Sequence, residues 1–128
     1  MRLLLDTHIW LWSLLDPHKL GRRIQHELQN VQNELWLSSI SLWEATVLAR
    51  KGRLEIPGSH DEWLQRAIAR FHEAAVTHEI VLAADQLQMH GDPADRFLAA
   101  TAQVLGLTLV TADEKLLGLG NIQSLANR

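Results

Sequence analysis

The amino-acid sequence predicts an α/β fold, a three-layer sandwich in which a central parallel sheet is flanked by helices. Short apolar runs of strand length alternate along the chain with longer segments whose apolar residues recur at helical spacing. Glycine and proline separate many of these segments, as they do at turns between regular elements. Strands that alternate with helices are typical of a parallel sheet with helices packed on both faces.

Two strands and two helices are predicted in the first part of the chain. The apolar run at residues 3–5 ends at Asp6 and predicts a buried strand. Residues 9–15 are too apolar for a surface helix and predict a buried one. Apolar residues recur at helical spacing among polar ones over residues 21–33, which predicts an amphipathic helix. A second apolar run, residues 35–38, predicts the next strand.

The middle of the chain is predicted to be mostly helical. We expect a helix over residues 42–51, with Gly52 as its C-terminal stop, and an amphipathic helix over residues 61–72. Weak alternation of apolar and polar residues predicts a short strand at residues 75–80. A further helix is expected over residues 82–89.

The last part of the chain is predicted to contain one helix and two strands. An alanine-rich helix is expected over residues 94–105, closed by Gly106. Residues 107–110 predict the last clear strand, which leads to Asp113. A short edge strand is expected around Ile122.

The composition predicts an ordinary globular protein, with one domain over residues 1–128. Hydrophobic residues make up 47% of the chain and charged residues 21%, which excludes a disordered chain. Because there is no cysteine, disulfides and thiolate metal sites are excluded. No run approaches the ~20 apolar residues that cross a bilayer, so we expect a cytoplasmic protein with no membrane segment. The net charge of -3 argues against nucleic-acid binding through a basic face, unless bound cations offset clustered acids.

Four acidic residues are predicted to meet at one edge of the sheet. Asp6 ends the first strand and Asp113 follows the last clear strand, and ligands of parallel sheets bind just beyond the carboxyl ends of the strands. Glu44 and Asp95 are each predicted in the first turn of a helix. Because such helices begin where the strands end, all four carboxylates are expected at the same rim.

Three of these acids also have a purely structural explanation. Ser41 and Glu44 have the spacing of a capping box. Asp92 has the position of an N-cap, and Asp95 that of a favourable first-turn acid. Asp113 could do no more than begin a turn. Position alone therefore does not establish a site.

The chemistry of clustered carboxylates favours a metal site. Carboxylates packed together repel one another unless cations compensate their charge. An all-oxygen site suits Mg²⁺ or Mn²⁺ better than zinc. Two such ions about 4 Å apart can clamp a phosphodiester, generate a hydroxide nucleophile and stabilise the leaving oxygen. Phosphodiester hydrolysis is therefore the leading hypothesis.

Four segments resemble the motifs of PIN-domain proteins, in the order found in that family. They are residues 4–8, 39–44, 91–102 and 109–113. The likeness is greatest to the VapC-type toxins of bacterial toxin–antitoxin pairs, and it extends from Arg2 to about Leu117.

The resemblance implies an endoribonuclease that depends on Mg²⁺ or Mn²⁺, acts on RNA, forms a homodimer and is held inactive by a cognate antitoxin. Asp92 matches the family's helix-start acid, and we expect it to be a cap. By motif match, the catalytic and metal-binding positions fall on Asp6, Glu44, Asp95 and Asp113, with Thr111 as the supporting hydroxyl.

Several other residues have alternative interpretations. His8 is close to Asp6 in the sequence and could reach the rim, but it is expected in the core or behind the site. Arg96 either orients a carboxylate or phosphate or forms a surface salt bridge. The tryptophans are expected in the core or at an interface, with stacking on RNA bases as the alternative. They are Trp10, Trp12, Trp36, Trp43 and Trp63.

Two other functions fit the same fold class. A phospho-acceptor signalling domain needs an aspartate at the end of a mid-chain strand, whereas residues 53–57 contain none. A non-catalytic binding module could keep the fold as a scaffold and need not bind a divalent cation. Metal-dependent cleavage of RNA distinguishes the leading hypothesis from both.

Overall fold

A computed structural model of the protein describes residues 1–89 and 91–128, which contain a five-stranded sheet in which every strand pair is parallel. The strands are β1 (Arg2–Leu5), β2 (Glu34–Ser38), β3 (His72–Ala74), β4 (Thr108–Thr111) and β5 (Gln123–Ala126). The helices are α1 (Thr7–Leu15), α2 (Arg22–Gln29), α3 (Ser39–Arg50), α4 (His60–Ile68), α5 (His78–Gln86), α6 (Pro93–Leu105) and α7 (Glu114–Leu117), with a 3-10 turn at Pro17–Lys19.

Apolar side chains cover both faces of the central strand β1. Leu3 and Leu5 pack in one core with residues of α1, α2 and α4, and Leu4 packs in a second core with residues of α5 and α6. Because successive side chains of a strand point to opposite faces, an unbroken apolar run is what a strand buried on both faces requires. The predicted three-layer α/β sandwich is confirmed.

The order of the strands creates a crevice at one edge of the sheet. The order is β3-β2-β1-β4-β5, so the chain leaves β1 towards one side of the sheet and leaves β4 towards the other. Leu5 at the end of β1 pairs with Val110 of β4. Ligands of parallel sheets bind at such a switch point, beyond the carboxyl ends of the two strands.

The strand predicted at residues 75–80 is wrong. Strand β3 ends at Ala74, and Thr77 is the N-cap of α5, where its side-chain oxygen accepts a hydrogen bond from the Ile80 N–H at 3.3 Å. The apolar residues of this segment follow helical spacing, since Ile80 and Ala84 are both buried.

Helix α3 begins at Ser39 rather than at residue 42. The Ser38 side chain accepts a hydrogen bond from the Ile40 N–H at 3.1 Å, so Ser38 is the N-cap and Ser41 is a buried residue inside the helix. The capping-box explanation of Glu44 is therefore wrong, and so is its expected place in the first turn, because Glu44 lies one turn further on.

Other boundaries are shifted by smaller amounts. Helix α2 ends at Gln29 instead of continuing to residue 33, and Val31 beyond it is 91% exposed. The short helix α7 was not expected, and the predicted edge strand lies at Gln123–Ala126. Among the helices that the structure describes, none has the length and apolar character needed to cross a bilayer.

Candidate metal centre

The Asp6 carboxylate lies at the bottom of the crevice between β1 and β4. Its residue is only 8% exposed, and its backbone N–H donates to the Val110 carbonyl at 2.9 Å. Thr111, the fully buried last residue of β4, donates its hydroxyl to Asp6 Oδ2 at 2.7 Å. The carboxylate is therefore held in place by a side chain of the neighbouring strand.

The same threonine also joins Asp113 to the crevice. The Asp113 N–H donates to Thr111 Oγ1 at 3.0 Å, so one hydroxyl accepts from the backbone of one acid and donates to the side chain of the other. Asp113 Oδ1 accepts from the Lys115 N–H at 2.8 Å and caps α7. The structural explanation of Asp113 is thus confirmed, and the cap lies directly beside Asp6.

Two buried hydroxyls, those of Thr7 and Ser41, hold the Glu44 carboxylate at the rim, a contact that was not predicted from the sequence. Thr7 Oγ1 donates to Glu44 Oε1 at 2.5 Å and lies 2.8 Å from Ser41 Oγ. A hydroxyl has one hydrogen, so Ser41 is the donor to Thr7. Ser41 and Glu44 are three residues apart, so they lie on one face of α3. This spacing is the sequence signal for the contact, but it is also the spacing of a capping box.

Asp95 lies in the first turn of α6, as predicted. The Asp92 side chain accepts from the Ala94 N–H at 2.9 Å and caps that helix, which confirms its predicted role. The pKa of Asp95 is raised from 3.8 to about 6, first by burial and then by nearby negative charge. The charges that act on it are those of Asp6, Asp113, Asp92 and Glu44.

Burial also raises the pKa of Asp6 and the pKa of Glu44. For Asp6, hydrogen bonds from the Thr111 hydroxyl and the Thr7 N–H oppose the rise. For Glu44, the hydrogen bond from Thr7 opposes it, whereas the charge of Asp6 adds to it. The charges of Asp6, Glu44, Asp113 and Asp92 all act on Asp95, and their repulsion disfavours its ionisation.

The carboxylates are neighbours rather than a preformed ligand shell. In residues 1–89 and 91–128, no three acidic or histidine side chains are already grouped around one ion position. Hydrogen bonds to hydroxyls and backbone N–H groups hold the oxygens of Asp6, Glu44 and Asp113 instead. Direct ligation by three or four of these acids would require side-chain rotation.

His8 and the tryptophans occupy different environments. His8 is exposed, so the expectation that it lies in the core is wrong, and its ring lines a groove beside Glu44. Trp10 and Trp63 are buried and pack against each other, with ring centroids 6.0 Å apart. Trp43, in contrast, is 57% exposed.

The Arg96 guanidinium binds backbone carbonyls, and in residues 1–89 and 91–128 it forms no salt bridge, so the expected surface salt bridge is wrong. Its guanidinium donates to the backbone carbonyl of Ala84 through Nε at 3.2 Å and through Nη2 at 2.8 Å. Nη2 also lies 3.3 Å from the carbonyl of Asp85 and 3.1 Å from that of Leu87. Arg96 therefore caps the C-terminus of α5 and fastens it to α6.

We expect Arg96→Ala to destabilise the protein by about 2 kcal/mol, since several hydrogen bonds from a charged donor are lost and the part-buried Leu87 carbonyl loses its donor. The measurement is the free energy of unfolding in urea. Arg23→Ala, which removes an exposed arginine of α2, is the control and should change stability by less than about 0.5 kcal/mol. Equal stability of the two variants would show that the cap contributes nothing.

Comparison with known proteins agrees with this fold. A model of the PIN-domain family matches residues 3–121. The chain is 31% identical over 115 residues to Ribonuclease VapC22 of Mycobacterium tuberculosis (strain ATCC 25618 / H37Rv), a match that covers 88% of each sequence.

Solved structures with similar folds include DNA-bound VapBC from Salmonella typhimurium, with a TM-score of 0.75, 17% identity, and coverage of 100% of this chain and 99% of that chain. Another is a toxin–antitoxin complex from Klebsiella pneumoniae, with a TM-score of 0.68, 22% identity, and coverage of 98% and 97%. At such low identity these structures show the fold alone. The match to the family model and the identity to VapC22 show more: the chain belongs to the PIN-domain family, and within it resembles the VapC-type ribonucleases.

Proposed function

We propose that this protein is a metal-dependent endoribonuclease and the toxin of a toxin–antitoxin pair. The observation that carries the proposal is the gathering of acids from four separate segments at the switch point of the sheet. The relative that is 31% identical carries the name ribonuclease, which supports RNA as the substrate. The residues that we assign to the catalytic site are Asp6, Glu44, Asp95 and Asp113.

The donor set fits a hard divalent cation. All four assigned side chains are carboxylates, and oxygen ligands favour Mg²⁺ or Mn²⁺ over softer metals. Burial and then the surrounding acids raise the pKa of Asp95 to about 6, and a bound cation would relieve the part that is due to repulsion. When bound, the cation would polarise the phosphodiester and lower the pKa of a coordinated water.

The residues of the chain have distinct parts in this proposal. Asp6, Asp95 and Asp113 would hold the ion, and Glu44 would hold the ion or a water molecule bound to it. Thr111 fixes the Asp6 carboxylate, so it acts as a positioning residue. The hydroxyls of Thr7 and Ser41 position the Glu44 carboxylate in the same way.

Exposed apolar side chains support the proposed protein partners, a cognate antitoxin and a second copy of the chain. Leu14 and Leu15 at the end of α1 are 42% and 39% exposed, and Val81 and Leu82 on α5 are 44% and 51% exposed. Exposed apolar side chains that adjoin one another can form the kind of surface patch that marks a protein interface. The solved toxin–antitoxin complex with a similar fold supports an antitoxin as one partner, and cytoplasmic location is part of the same proposal.

The test is RNA cleavage by the purified chain, freed of any bound partner. We expect cleavage with Mg²⁺ or Mn²⁺, loss of cleavage with a chelator, and recovery when the ion is restored in excess. A chain that binds RNA equally with and without the ion, and never cleaves it, would instead be a non-catalytic binding module.

We expect Thr7→Val to lower cleavage about 10- to 100-fold, the usual effect of losing a group that orients a metal ligand. The variant should also lose about 1–3 kcal/mol of stability, because the buried Ser41 hydroxyl loses its acceptor. Thr7→Ser keeps the hydroxyl and should retain most of the activity. If the serine and valine variants cleave RNA equally well, the hydroxyl does not position Glu44.

A further inference from the structure

Trp43 is an exposed aromatic side chain directly beside a proposed catalytic acid. It follows Leu42 and precedes Glu44 on α3, and it is 57% exposed. Burying an indole removes a large apolar surface from water, so an open indole at the edge of a polar site is costly unless something covers it. Trp43 therefore marks a place where a ligand with an apolar face can bind.

The indole lines a groove of about 450 Å³ between α3 and the start of α6. This volume is in the range of about 300–1,000 Å³ found for small-molecule sites. Val47 and Phe97 provide further apolar wall, whereas Glu44 and Asp92 line the acidic side. Glu44 thus belongs both to the groove and to the proposed metal centre.

Lys51 supplies a positive charge in the same groove. Glu44, Val47 and Lys51 are three and four residues apart, so they follow one face of α3 and its C-terminal cap. At 1.5 Å per residue, Lys51 is about 10 Å along the helix axis from Glu44. The groove is therefore lined by carboxylates, an aromatic side chain and an exposed cation.

We propose that this groove binds one nucleotide of single-stranded RNA, next to the bond that the metal centre cleaves. The base stacks on the Trp43 indole, and Lys51 attracts a backbone phosphate. Single-stranded RNA is commonly recognised through unstacked bases laid on aromatic side chains, with basic residues on the backbone. The proposal rests on the proposed ribonuclease function and adds where the substrate chain runs.

A nucleotide fits this groove better than a second copy of the chain does. Stacking requires an aromatic face, a phosphate requires a cation, and the groove contains both beside the acids. A contact between two copies would have to remove Lys51, Glu44 and Asp92 from water, which is costly unless each charge finds a partner. Contact between copies is nevertheless a separate outcome of the test.

The first measurement is RNA affinity in the Asp6→Asn background, in which substrate is not consumed. A fluorescent single-stranded RNA is titrated, and its anisotropy is followed. Trp43→Ala should weaken binding by about fivefold or more, as expected when base–aromatic stacking is lost. Trp43→Phe keeps an aromatic face and should stay within about threefold of the parent. Val31→Ala is the control, since Val31 is an exposed apolar residue at 91%.

The second measurement locates the stacked base. In the active protein, Trp43→Ala should raise KM and leave kcat within a few-fold, because the reacting groups are untouched. Once the cleavage position is mapped, an abasic nucleotide is placed in turn on either side of it. At one of these positions, removing the base from the RNA should weaken its binding by the same factor as Trp43→Ala does. Combining the abasic RNA with the Trp43→Ala variant should cause no further loss of affinity.

Lys51→Gln tests the phosphate contact. Its affinity should depend less on salt, with the slope of log K against log salt reduced by about 0.7, as for one phosphate contact with a single strand. An unchanged slope would remove Lys51 from the proposed contact.

Three outcomes would overturn the inference. Affinity of Trp43→Ala equal to that of the parent would show that no base stacks on the indole. Independent losses from the abasic RNA and Trp43→Ala would show that the base lies elsewhere. A loss of affinity that follows a change in oligomeric state, measured by light scattering, would assign Trp43 to a contact between copies. If the parent neither binds nor cleaves RNA, the proposed function fails as well.

Discussion

Asp6→Asn is expected to abolish RNA cleavage while the fold is retained. Asparagine has nearly the same shape and can still accept the hydrogen bond from Thr111, but it carries no charge to hold a divalent cation. Because the loss of a group that merely orients a ligand costs 10- to 100-fold, removing a ligand itself should cost at least about 100-fold. The measurement is the initial rate of RNA cleavage at saturating Mg²⁺.

Stability distinguishes loss of chemistry from loss of structure in that variant. Burial raises the pKa of Asp6, so replacing its carboxylate with a neutral amide should leave the melting temperature of the metal-free protein unchanged or higher. Asp61→Asn changes an exposed acid in the first turn of α4 and should cleave RNA at the parent rate. A folded Asp6→Asn variant that cleaves as fast as Asp61→Asn would refute the assigned role of Asp6.

Asp95→Asn is expected to stabilise the metal-free protein at neutral pH and to weaken its stabilisation by Mg²⁺. Burial and the surrounding acids raise the pKa of Asp95 from 3.8 to about 6. Between about pH 4 and pH 6 the folded state therefore binds more protons at this residue than the unfolded state does. Ionisation of Asp95 thus lowers stability progressively as pH rises through that window.

The pH dependence of the melting temperature tests this assignment. In a chelator at pH 7.5, Asp95→Asn should melt higher than the parent by roughly 3 °C, the size of shift that a modest electrostatic gain produces in a chain of this length. Near pH 4 the difference should be much smaller, because Asp95 is then protonated in the folded state and about half protonated in the unfolded state. A difference that is the same at both pH values would show that Asp95 charge is not its cause.

Divalent cations should reverse the order of stability. An ion present at about ten times its Kd stabilises the folded state by about 1.4 kcal/mol. The parent should gain this stabilisation from Mg²⁺ or Mn²⁺, whereas Asp95→Asn should gain much less at the same concentration. Equal stabilisation of both proteins would place the ion away from Asp95.

Much of the fold could be predicted because the signals are local. The run at Leu3–Leu5 is apolar on both faces, which only a strand buried between two layers of helices requires. Gly106 adopts a φ of 65° at the end of α6, a conformation that favours glycine and that the sequence predicted as a helix stop. The positions of the acids beside the strand ends could be predicted from the alternation of strands and helices along the chain.

The errors concern features that depend on tertiary contacts. The bond from Thr7 to Glu44 joins α1 to α3, and no local pattern shows that these two helices meet at the rim. The carbonyls that Arg96 binds come from α5, so its role depends on the packing of α5 against α6. The strand wrongly predicted at residues 75–80 is an exception, because the N-cap that Thr77 provides for α5 is a local feature.

Crystals grown with Mn²⁺ test most directly whether the four acids form one cation site. The anomalous signal of manganese locates the ion independently of any assumption about its ligands. We expect an ion in the crevice between β1 and β4, with carboxylate oxygens of at least Asp6 and Asp95 about 2.0–2.3 Å from it or joined to it through water. Manganese bound only elsewhere, or these acids directed away from one another in its presence, would contradict the account.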